Sequence, residues 1–136
     1  MSAALSGMEN RISFGQLPAK IFGLYDLGSR SITLSNALRN ESVEVVAMVL
    51  AHEGQHALDH NLGRIPGDSL ACFDAEVRSF DIQIDLWRSI WGSGGKSGSL
   101  TPTETMFNRW GGFKRESPIG YVAALIDLYG AQCGTF

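Results

Sequence analysis

Apolar residues recur at helical spacing through Val43, Val46, Ala47 and Leu50, and Val45 and Val49 supply a second apolar face. A helix that is apolar on more than one side belongs in the interior of its fold, with other elements packed against it. Two histidines and a carboxylate, in the order His52-Glu53-Gly54-Gln55-His56, interrupt this apolar run. Burying such groups without partners is costly, so the interruption calls for something that they bind. Asn40 or Ser42 suits the N-cap, and Glu41 and Glu44 favour the positive end of the helix dipole. The helix is expected to end near His60, because Asn61, Gly63, Pro66 and Gly67 follow.

The rest of the chain divides around that helix. Residues 21–25 and 31–34 are short β-like runs, and Asp26 and Gly28 between them suit the turn of a hairpin. Downstream, Phe73, Val77, Phe80, Ile84, Trp87 and Trp91 alternate steps of four and three, which predicts a long amphipathic helix from about Ser69. Two more helices are expected at 101–110 and 118–129, the first with Thr101 as cap, Pro102 at its first position and Glu104 completing a capping box. The Gly- and Ser-rich stretch 92–99 reads as a mobile surface loop. Its Gly95-Lys96-Ser97 invites a phosphate-loop reading, but Ile90 stands where such a loop needs glycine and a helix precedes it. The expectation is an α+β fold in which a short hairpin or small sheet packs on a mainly helical body.

At 136 residues the chain has the length of one domain, and with 44% apolar and 18% charged residues it can bury a core. A net charge of −3 with scattered Lys and Arg predicts no nucleic-acid partner. No apolar run reaches the roughly 18–20 residues that span a bilayer, so no membrane partner is expected. The first ten residues have no basic stretch followed by an apolar one, which predicts no secretory signal. Cys72 and Cys133 are read as reduced packing residues, and the expected location is the cytoplasm.

Histidines four apart on a helix stand on one face about 6 Å apart along the axis, and both can reach a zinc ion at about 2.1 Å. Glu53, turned about 100° from His52, does not point at the same ion but can take a proton from a water on it. A catalytic zinc needs a third protein ligand. Glu76 is favoured, since it lies on the next helix after a loop long enough to reverse the chain. His60 continues the series, but about 12 Å along the axis from His52 is too far on a straight helix. Asp74 is the neighbouring carboxylate, on a different side of its helix from Glu76.

His52-Glu53-x-x-His56 followed by Glu76 resembles the gluzincins, the thermolysin-like branch of the zincin metallopeptidases. The resemblance covers roughly residues 20–90. It implies a zincin-like domain with an active-site helix, zinc on His52, His56 and Glu76, Glu53 as general base, and a peptide or protein substrate whose bond is hydrolysed. It also implies that the strand at 31–34 is a sheet edge to which substrate adds as an antiparallel strand. The chain departs from the branch at Phe80, where an Asp that supports a histidine ligand would stand, leaving Asp81, Asp59 and Asp85 as candidates for that support.

Other branches fit less well. A metzincin would have Gly and His where this chain has Asp59 and Leu62, and Asp127-Leu128-Tyr129-Gly130 is a shortened echo of the aspzincin ligand motif. Peptide deformylase takes an upstream cysteine, and both cysteines here lie downstream. Tyr121 and Tyr129 are candidates to donate to the reacting carbonyl oxygen, although each also reads as a packing aromatic. The rival from another class is a zinc-stabilised binding or toxin-like module without catalysis, against which Glu53 speaks, since a structural site needs no base.

Overall fold

Ser42 caps the helix that the apolar pattern marks. Its Oγ accepts from the Val45 backbone N–H at 3.4 Å, and α1 runs Val43–Asn61 with Glu44 in its first turn. The computed structural model describes residues 11–133, so the reading of the first ten residues falls outside the described residues. The chain is α+β, a three-stranded mixed sheet followed by four helices. It forms two compact units, one ending at Ile65 and one beginning at Pro66.

In the first unit the expected hairpin is present as β2, Gly23–Asp26, and β3, Ser31–Ser35, paired antiparallel with Tyr25 opposite Ile32. Asp26 Oδ1 accepts from the Ser29 N–H at 3.0 Å and closes the turn. This contact with backbone N–H donors is also what holds the Asp26 carboxyl below its usual range. A further strand, β1 at Ile12–Gly15, pairs parallel with β3, placing Ile12 opposite Ile32 and Phe14 opposite Leu34. The order is therefore β1-β3-β2.

That order corrects one expectation. The strand at 31–34 is not an edge: β3 is bonded on both sides, so its backbone groups are taken and no substrate strand can add to it. The edges are β1 and β2. Being central also explains the burial of β3, where Ile32 and Leu34 point to one face and are all but inaccessible. A 3-10 turn at Asn36–Asn40 inserts Leu38 into the same core, and α1 lays Val45, Met48, Val49 and Ala57 against β2 and β3.

The second unit is three helices, α2 at Ser69–Trp91, α3 at Pro102–Glu116 and α4 at Pro118–Cys133, each packed on the other two. Asp68 caps α2 by accepting from the Ala71 N–H at 2.8 Å, and the Thr101/Glu104 capping box forms at α3. Four members of the predicted stripe on α2, Phe73, Phe80, Ile84 and Trp87, are buried together with Phe107, Tyr121 and Leu125. Phe80 meets Trp110 edge-on at 4.9 Å between ring centroids. Trp87 Nε1 donates to Asn108 Oδ1 at 2.9 Å, satisfying the one polar atom that its burial would strand.

Two further expectations change here. Cys72 and Cys133 are not reduced packing residues but a disulfide, with Cα atoms 5.4 Å apart, joining the first turn of α2 to the end of α4. Helix packing brings together cysteines that are 61 residues apart in the chain. The bridge weighs against the expected cytoplasm, where thiols are kept reduced. The loop at 92–99 is tied down rather than loose: the Lys96 N–H donates to Asn108 Oδ1 at 2.9 Å, and Asn108 Nδ2 donates to the Lys96 carbonyl at 2.8 Å. Gly95 has φ 77°, and a β-carbon there would stand 2.3 Å from Asn108 Oδ1, so only glycine fits. Among the described residues no helix is long and apolar enough to cross a membrane.

Candidate metal centre

On α1 the spacing of His52 and His56 has the consequence it should. The two rings lie on one face with centroids 5.0 Å apart and planes at 71°. His52 is 7% exposed and Glu53 8%, because the neighbouring Met48, Val49 and Ala57 carry the apolar packing of the same helix. His56 is half-buried.

Glu53 sits against the sheet. A β-carbon built on Gly23 of β2 would stand 3.0 Å from Glu53 Cγ and 3.2 Å from its Oε2, so the strand backbone passes directly by the carboxylate. Glycine at 23 is what allows this approach. Glu76, on α2, is 5% exposed and accepts a hydrogen bond at Oε1 from Gln132 Nε2 of α4, at 3.0 Å.

One ligand atom from each of His52, His56 and Glu76 lies within 4.8 Å of the others, so the three form a group that can hold a metal ion. Nitrogen and oxygen donors of this kind suit a divalent transition metal. The other candidates for the third ligand are occupied elsewhere or turned outward. His60 Nδ1 is 2.8 Å from the Tyr25 hydroxyl of β2. Asp74 is exposed and pairs with Arg78 at 3.0 Å. Asp127 is exposed on α4.

The candidates for support of a histidine separate likewise. Asp81 accepts from the Tyr121 hydroxyl at 2.8 Å and pairs with Lys114, which also holds Asp85, so both serve contacts within the helical unit. Asp59, on α1 itself and 3% exposed, accepts from Gln55 Nε2 at 3.1 Å. Tyr121 is a core residue whose phenol is pushed well above its usual range, first by burial and then by the hydrogen bond to Asp81. Tyr129 is half-buried on α4.

Two residues at the site escape a reading of the sequence. Gly23 looks like any strand-end glycine until α1 is packed on the sheet. Gln132 lies 56 residues from Glu76 and carries no local signal at all. Compared with protein-family models, curated proteins and solved structures, the chain matches none. What defines it is an α+β fold and a His, His, Glu group of metal-binding composition, with His52 and Glu76 buried and His56 half-buried.

Proposed function

We propose that this protein is a zinc-dependent hydrolase, a metallopeptidase that cleaves peptide bonds. The observation that carries the reading is the convergence of His52, His56 and Glu76 on one small volume, with Glu53 buried beside His52 in the same helix. His52, His56 and Glu76 would hold the ion, two imidazoles and a carboxylate being a ligand set that leaves a fourth position open. Zinc bound there supplies Lewis-acid activation of a water and of the carbonyl under attack.

Glu53 then does the proton work. Its carboxylate takes a proton from the attacking water and returns it to the leaving nitrogen, which would otherwise depart as a poor, unprotonated amide anion. The apolar packing around α1 keeps bulk water from competing for that proton. In this reading substrate adds to β2, the edge strand whose Gly23 passes Glu53, with main-chain hydrogen bonds giving affinity and side chains giving selectivity. The disulfide favours an oxidising compartment as the place of action.

The test is metal content by elemental analysis of protein purified without chelator, followed by a peptide-library digest. About one zinc per chain is expected, retained in His60→Ala, lost in Glu76→Ala, with cleavage products that depend on the metal. Wild-type protein that takes up no zinc even when it is added back would overturn the reading.

A further inference from the structure

Cys72 and Glu76 stand four apart on α2 and so share a face, one turn from each other. Across from them lies the end of α4, where Cys133 closes the disulfide to Cys72 and the preceding residue, Gln132, donates to Glu76 Oε1 at 3.0 Å. The bridge and the hydrogen bond are thus neighbours on both helices.

This end of α4 contributes little to the core. After Leu125 no residue of the helix is buried until Cys133, and Leu128, Ala131 and Gln132 are exposed. Gly130 in this stretch lowers helix propensity further. Helix ends fray, and the covalent tie at Cys133, one residue after Gln132, keeps Gln132 within reach of Glu76.

We propose that the Cys72–Cys133 disulfide sets the metal affinity of the site by holding Gln132 on Glu76, so that the oxidised chain binds zinc tightly and the reduced chain binds it weakly. This rests on the metal reading above and adds its regulation. Gln132 is a positioning residue: its amide is one of the contacts that orient the Glu76 carboxylate before an ion binds. Partners of this kind change metal affinity by about 10- to 100-fold.

The redox step needs a dithiol reductant. One of its thiolates attacks a sulfur of the bridge, the Cys72–Cys133 bond breaks as a mixed disulfide forms, and the second thiol displaces it. Two electrons and two protons pass to the chain, leaving Cys72 and Cys133 as thiols and the reductant as its own cyclic disulfide.

The experiment measures zinc affinity by competition with a chromophoric chelator for oxidised wild type, Gln132→Ala, the pair Cys72→Ser/Cys133→Ser, and the three substitutions combined. Gln132→Ala keeps the bridge and reads the contact in the intact fold, while serine at both cysteines stands for the reduced chain without offering thiolates to zinc. Each is expected to weaken binding by about 10- to 100-fold, and Gln132→Ala should add almost nothing once the bridge is gone, because both act through one contact. Either variant binding zinc like wild type, or effects that multiply in the combined variant, would overturn the proposal. Oxidised wild type that binds no zinc would instead remove the metal reading on which it rests.

Discussion

Gly23 of β2 and Glu53 of α1 are in such close approach that a single added carbon at 23 would stand 2.8 Å from Val49 Cγ1 and 3.0 Å from Glu53 Cγ. Contacts this short force something to move, and both neighbours sit on the helix that carries the two histidines. Gly23→Ala should therefore push β2 and Glu53 apart, destabilising the fold by about 1–3 kcal/mol. A misplacement near 1 Å at a reacting group costs about 100-fold in rate. Turnover is expected to fall by that order while zinc content stays at the wild-type value. Full turnover in a folded Gly23→Ala protein would show that Glu53 does not depend on this contact.

Glu53→Gln keeps the shape of the side chain and removes its basicity. Zinc content should be unchanged, since His52, His56 and Glu76 remain, and kcat should drop by about 100- to 10,000-fold, the usual worth of a general base. Steady-state kinetics beside elemental analysis separates the two effects. A variant that still turns over at the wild-type rate would exclude Glu53 as the base.

Lys96 places its ammonium on the carboxylate of Glu104, whose side chain is 3% exposed, and over the Trp91 ring at 5.1 Å. Glu104 also accepts from the Thr101 N–H at 2.9 Å in the capping box. Lys96→Met would leave a buried carboxylate without its cation, which costs about 3 kcal/mol. Urea denaturation is the measurement, and an unchanged midpoint would show that the ion pair contributes nothing net. Added nucleotide should not alter that midpoint, because this lysine is committed to the helical unit.

Tyr121 predicts an alkaline limit to stability. Burial and the hydrogen bond to Asp81 hold its phenol neutral in the folded chain far above the point, near pH 10, at which an unfolded tyrosine ionises. The folded-state value is raised, so the stability it contributes is fully present below about pH 10 and is lost as pH rises further, when only the unfolded state can give up the proton. Tyr121→Phe should cost about 1–2 kcal/mol at pH 7 through the lost hydrogen bond, and should flatten the decline above pH 10. Denaturation of both proteins at pH 7, 9 and 11 checks this, and parallel declines would refute it.

The features legible from the chain alone are those in which the interacting residues are close in sequence. Ser42 ahead of an apolar run starts α1, Thr101 and Glu104 cap α3, Asp26 closes the hairpin turn, and steps of three and four bury one face of α2. The histidine pair belongs to this group, because a helix alone sets both rings on one side. In each case the bond or face joins residues at most four apart, or a periodicity repeats it.

What packing contributed joins distant residues. The alternation of Ile12, Ser13 and Phe14 in β1 is too short to mark a strand by itself, and only the pairing of β1 with β3 makes β3 central, leaving β2 as the edge beside Glu53. The disulfide across 61 residues, the hold of Gln132 on Glu76 and the anchoring of Lys96 by Asn108 and Glu104 likewise depend on which helix lies against which. A local pattern carries the free energy of a turn, a cap or an amphipathic face. The partner that each face finds is selected by burial summed over the assembled core, and no short stretch of the chain contains that sum.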